Sequence, residues 1–126
     1  VITKKIDPVP QVRQALEEIK PDFDFSVSET FPQSVPQKPL ITVDQVENRT
    51  VNAVVDSLSL QIDIWAEEKD QVRQLEELAN EAVMHIGFLR DYDGAIEQYR
   101  SSGGGFFRKI MRFGRKVDKR TLRLID

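Results

Sequence analysis

Nine consecutive residues, Ser57-Leu58-Ser59-Leu60-Gln61-Ile62-Asp63-Ile64-Trp65, alternate polar and apolar side chains up to a closing tryptophan. Successive side chains of a strand point to opposite faces, so Leu58, Leu60, Ile62 and Ile64 share one face. Ser59, Gln61 and Asp63 take the other, with Trp65 at its end. A slip of one residue would turn the whole apolar set to water, which makes the register firm. The period then changes. From Glu67 to about Ile86, apolar residues fall at Val72, Leu75, Ala79, Ala82, Val83 and Ile86, the stripe of a long amphipathic helix. Glu67, Glu68 and Asp70 enrich its first turn, where the helix dipole favours negative charge. Gly87 suits the left-handed position that closes such a helix, and apolar Phe88 follows it.

The flanking segments are read against this strand–helix pair. Asp7 can cap a helix opening with Pro8 or Pro10, where a missing N–H does no harm. Val9, Val12, Leu16 and Ile19 continue it at helical spacing through Lys20, and Pro21 ends it. Phe23, Phe25 and Val27 alternate with Asp24, Ser26 and Ser28, the mark of a half-buried strand. Pro32, Pro36 and Pro39 make the next stretch a loop. Leu40 to Val46 is a second strand, and Val51, Ala53 and Val55 begin or lead into a third.

Periodicity fails from Arg90 to Gly105, a stretch holding Asp91, Asp93, Gly94, Ser101, Ser102 and three successive glycines. This predicts a flexible loop over residues 91–105, of a length that usually signals function or disorder. Phe106 to Val117 resumes a strand pattern, with Phe107, Met111 and Phe113 opposed to Arg108, Arg112 and Lys116. Thr121 to Ile125 extends it or adds a short closing strand. The order predicts an α+β domain spanning residues 1–126: one mostly antiparallel sheet, two helices packed on one face, and a polar second face.

A chain of 126 residues buries roughly two-thirds of its unfolded surface, enough for a core without staples. There is no cysteine, which removes disulfides, thiolate metal sites and cysteine nucleophiles together. No run approaches the roughly 20 apolar residues of a membrane span, and Val1-Ile2-Thr3-Lys4-Lys5 opens no signal-like segment. A soluble protein of the cytoplasm, or of a particle made there, is the expectation.

The residue inventory gives no catalytic, metal or cofactor site. His85 is the only histidine, placed where a helix terminus often carries one. There is no histidine pair for zinc, no nucleophile elbow and no phosphate loop ending in Lys-Ser or Lys-Thr. Gly103, Gly104 and Gly105 lack the spacing of a dinucleotide loop and read as linker. Glu67, Glu68, Asp70, Glu76, Glu77 and Glu81 read as a solvated helix face, and the alternating ligands of a calcium loop are absent. Asn48-Arg49-Thr50 matches a glycosylation acceptor by chance. An enzyme is therefore not expected.

Charge is unevenly placed. Residues 1–107 carry −9 and residues 108–126 carry +6, giving the net −3. An acidic body with a basic end attracts copies of itself, an acidic partner or a phosphate backbone. Arg108, Lys109, Arg112, Arg115, Lys116, Lys119, Arg120 and Arg123 interleave with Phe106, Phe107 and Phe113. Such a mixture can serve single-stranded nucleic acid by stacking and phosphate contact. The plainer reading makes the aromatics core and the cations solvated or paired with acids, since the acidic remainder repels a polyanion.

Three features occur in a telling order: a strand ending Gln61-Ile62-Asp63-Ile64-Trp65-Ala66, an acidic helix closing at Gly87-Phe88, and a late strand containing Met111-Arg112-Phe113. The set, covering Leu58 to Phe113, resembles the tail completion proteins of long-tailed bacteriophages, also called tail terminator or tail-to-head joining proteins. Other head–tail connector components share similar patterns. The resemblance implies a structural virion protein without cofactor, made in the host bacterial cytoplasm. It implies a hexameric ring that caps the head-proximal end of the tail tube. Its partners would be its own copies, the tail tube protein and the head completion or connector protein, with DNA passing through the ring and no membrane.

The sequence offers a physical route to a ring. A head-to-tail interface joins unlike patches and can close around an axis. Arg108, Arg112, Arg115 and Lys116 would then meet Glu76, Glu77 or Glu81 of a neighbour, since complementary charge steers docking and register. A loop holding Asp91, Asp93, Gly103, Gly104 and Gly105 would order on docking to ring or tail.

Overall fold

The computed structural model describes residues 8–32, 39–50, 55–101, 104–118 and 123–124. The elements run α1 (Val9–Glu17), β1 (Ser26–Ser28), β2 (Leu40–Thr50), β3 (Val55–Ala66), α2 (Lys69–His85), β4 (Leu89–Asp93), β5 (Glu97–Ser101), β6 (Gly104–Asp118) and β7 (Arg123–Leu124). The fold is α+β, as expected. Among the described residues, seven strands form one sheet whose main path is β1-β2-β3-β6-β4, with β5 and β7 also paired to β6. Every pairing is antiparallel except β1 with β2.

The alternating run becomes the central strand. β3 pairs with β2 on one side and with β6 on the other, Ile62 facing Val43 and Met111. Leu58, Leu60, Ile62 and Ile64 have no exposed surface. Burial of each such side chain contributes about 1.5–3 kcal/mol, so this face alone accounts for much of the driving force. Met111 and Phe113 of β6 extend the same apolar face, and Val72, Leu75, Ala79 and Val83 of α2 close over it. Val12 and Leu16 of α1 complete the core, while Phe23 and Phe25 pack against it just before β1.

The ends of the helices follow local chemistry. Pro8 caps α1, and Val12 N–H bonds its carbonyl at 3.0 Å; Asp7, read as the cap, lies outside the described residues. At the other end of α2, Gly87 takes φ +98°. Its N–H bonds Met84 O at 3.0 Å, and Phe88 N–H bonds Val83 O at 3.3 Å. These two bonds are a Schellman closure, and Phe88 and Val83 are both fully buried beside it.

Two expectations need correction. The long loop foreseen over 91–105 is mostly paired backbone: β4 lies along Met111–Gly114 of β6, and β5 along Gly104–Arg108. Asp91 and Asp93 belong to β4, and Gly104 and Gly105 begin β6; Gly103 lies outside the described residues. Strands of five residues are too short to print a period, and the free edge of the long β6 supplies the pairing that local sequence does not specify. A bulge between Arg90 and Tyr92 breaks the alternation further. The second correction concerns the sheet face away from the helices. It is not simply polar, because Trp65 and Asp63 on it are both buried.

Candidate functional site

The side of β3 and β6 turned away from the helices carries a cluster built around Arg108. Register sets Arg108 opposite Trp65, and Asp63 is the next β3 residue on the same face. The Arg108 guanidinium carbon stands 4.5 Å from the Trp65 ring centroid and 5.7 Å from that of Phe31. Its Nε donates to Asp63 Oδ2 at 2.9 Å, and its Nη2 donates to the same oxygen. Asp63 is 1% exposed and also accepts from Gln61 Nε2 at 3.0 Å. A buried carboxylate needs this set, because desolvating an unpaired charge is expensive.

Aromatic rings wall the cluster. Trp65 meets Phe31 edge-on at 6.2 Å and Phe106 at 5.6 Å, and Phe106 stacks on Tyr99 at 5.3 Å. The Trp65 indole N–H donates to Thr42 Oγ1 of β2 at 3.2 Å. The Tyr99 hydroxyl donates to Glu97, and this bond holds the phenol above its ordinary pKa. Side chains of β2, β3, β5 and β6 thus meet in one cluster.

A second charged group lies on the helix side. Lys109, only 7% exposed, sits opposite Ile64 and reaches Glu76 of α2 at 3.4 Å and Asp93 of β4. Arg90 of β4 binds the same two carboxylates, Glu76 at 2.8 Å, and donates to Asn80 Oδ1 at 3.4 Å. The Lys109 hydrogen bond, aided by the Arg90 charge, holds Asp93 below the usual carboxylate range against the opposing effect of desolvation. The arrangement clamps β4 to α2 and β6.

The residues expected to form an interface divide into two groups. Arg108 and Glu76 are engaged inside the subunit, and Arg115 donates to Ile86 O while lying 5.8 Å over the Phe88 ring. Arg112 and Lys116 are exposed on the open sheet face and pair with no carboxylate among the described residues. Arg112 instead lies 5.6 Å over Tyr92 and donates to Gln61 at 3.3 Å. Glu77 and Glu81 are exposed on α2, on the opposite side of the sheet. Sequence reasoning did not single out Asp63, Trp65, Arg90, Lys109 or Tyr99 as partners. Their pairings join residues up to 45 positions apart, and only strand register brings them together.

His85 is exposed at the end of α2, where it helps line a shallow groove between the helices. Among the described residues no group of three or more His, Cys, Asp or Glu could hold a metal ion, and no helix is long and apolar enough to cross a membrane. No protein-family model matches the chain, and no characterised protein matches it at a significant level.

Proposed function

We propose that this chain is a ring-forming structural subunit that caps the head-proximal end of a phage tail tube and joins the tail to the head connector. The observation that carries this reading is the two-sidedness of the subunit. A closed ring of identical copies needs two unlike patches on different sides of each one. Here α2 turns Glu77 and Glu81 to solvent on one side of the sheet, and β6 turns Arg112 and Lys116 to solvent on the other. Opposite charge on such patches steers docking and fixes register. In this reading the partners are further copies in a hexamer, the tail tube protein and the head completion or connector protein, and the particle is the site of action. The protein transforms no substrate.

Mass measurement of the purified protein, alone and on isolated tails, tests the ring. Tails assembled without the protein should fail to join heads, and adding it back should restore joining. Tails that join heads equally well in its absence would overturn the reading. A nucleic-acid-binding role for the basic strand has less support. Phe113 is fully buried, Phe107 packs against the core, Arg108 is neutralised by Asp63, and Phe106 stacks within the sheet. Oligonucleotide affinity that falls steeply with salt would favour that alternative.

A further inference from the structure

We propose that the contact between copies seats the exposed ridge of β4, Leu89 and Tyr92, in the groove between α1 and α2 of the next subunit. The choice of a second copy as occupant rests on the ring reading above. The surface itself is argued from shape and charge.

The ridge is the most conspicuous apolar surface on the open face. Leu89 is 68% exposed and Tyr92 is 50% exposed. Leu89 pairs with Gly114 and Tyr92 with Arg112, two β6 positions on one face, so both side chains point the same way. A lone exposed leucine needs no explanation, but adjacent large apolar residues on an edge strand are a liability unless something covers them. Among the described residues only the Arg112 guanidinium lies over Tyr92, and both helices lie on the other side of the sheet.

The groove is a depression of about 400 Å³ whose apolar floor includes Ile19, Leu78, Ala82 and Ile86. Glu18, Glu81 and Lys20 stand on its rim. Beside the ridge stand Arg112, Lys116 and Asp91, the last with its carboxylate over Gly114. The two sets differ in balance: Glu18 and Glu81 with Lys20 and His85 around the groove, and Arg112, Arg115 and Lys116 with Asp91 alone around the ridge. Such complementarity selects this pairing over groove-to-groove or ridge-to-ridge contact, where like charges would meet. Ridge and groove also occupy opposite sides of the fold, so each copy can engage one neighbour on each side, as a ring demands. Tyr92, within the segment expected to be a docking loop, thus enters the contact from an edge strand paired to β6.

The chain lacks cysteine, so introduced thiols report without background. Ala82→Cys and Leu89→Cys copies, mixed at high concentration and oxidised, should yield at least tenfold more disulfide-linked dimer than either variant alone. No excess in the mixture, or equal linkage of Ala82→Cys with itself, overturns the proposal. Exposed charges give a second test that spares the core. Glu81→Lys and Lys116→Glu should each weaken self-association at least tenfold, and the two together in one chain should recover most of the loss. Failure of the double variant to recover also overturns it. If the protein completes tails and joins heads while the crosslink fails, the ring reading stands and this contact falls. If copies crosslink through ridge and groove but never complete tails, the contact stands and the tail reading falls.

Discussion

Arg108 lies across the Trp65 indole, its guanidinium carbon 4.5 Å from the ring centroid, while the same group neutralises Asp63 beneath it. One side chain therefore satisfies a carboxylate with 1% exposure and covers the largest ring in the protein. The cation–π contact adds about 0.5–2 kcal/mol. The ion pair is worth less as a source of stability than as a condition on it, because Asp63 without Arg108 is a buried charge with only Gln61 to help.

Arg108→Ala should accordingly destabilise the fold by about 3–5 kcal/mol, the cost of stranding a buried partner. Asp63→Asn combined with Arg108→Met should cost clearly less, because both charges leave together and the methionine still packs on Trp65. Urea unfolding of the two variants checks the order. A double variant as unstable as Arg108→Ala would show that packing, not the stranded charge, dominates.

Gly87 is held by two constraints at once. Its φ of +98° disfavours any side chain, and a Cβ there would collide with the Arg115 guanidinium that donates to Ile86 O. Gly87→Ala should cost about 1–2 kcal/mol from the backbone alone. Pairing it with Arg115→Ala separates the causes. Loss that persists in the double variant belongs to the backbone, and loss that shrinks belongs to the collision. Thermal unfolding midpoints give the comparison.

These two glycine and arginine positions also mark what could be read in advance. The Gly87-Phe88 closure was legible because capping is a local rule, and the Leu58–Ile64 face was legible because a period of two admits one reading. The basic period of β6 was legible too, as Met111 and Phe113 confirm by their burial. What the chain conceals is lateral. Asp63 and Arg108 meet because β3 and β6 pair with Ile62 opposite Met111, and nothing local to either strand states that register. Lys109 looked like one more surface cation, yet it faces the helices and is buried between Glu76 and Asp93. Residues 91–105 looked like loop because β4 and β5 borrow stability from β6 rather than from their own pattern.

The clamp of Lys109 and Arg90 on Asp93 predicts a pH dependence. Asp93 has a folded pKa below its unfolded value of about 3.9. A depressed carboxylate adds stability that is fully present above the unfolded pKa and is lost as pH falls through the folded one. Stability should therefore drop below about pH 4, with β4 loosening from α2 and β6. Asp93→Asn should lower stability at neutral pH and flatten the acid limb. Denaturation midpoints between about pH 2 and 6 measure both, and an acid limb unchanged in Asp93→Asn would remove Asp93 from the account.

Tyr99 offers the opposite sign. Its hydroxyl donates to the Glu97 carboxylate, so deprotonation must break a bond and bring two negative charges together, which raises the folded pKa above about 10. A raised acid holds its proton longer in the folded state, so the stability it gives is present below the unfolded pKa and fades as pH climbs past it. The chain has two tyrosines, and Tyr92→Phe leaves Tyr99 as the sole source of tyrosinate absorbance. In that background Glu97→Gln should move the titration back toward the ordinary value. Because Tyr99 stacks on Phe106, the same change should leave β5 paired, which amide exchange at Glu97–Ser101 would register. A titration that does not move on Glu97→Gln would assign the shift to burial against Phe106 instead of to the hydrogen bond.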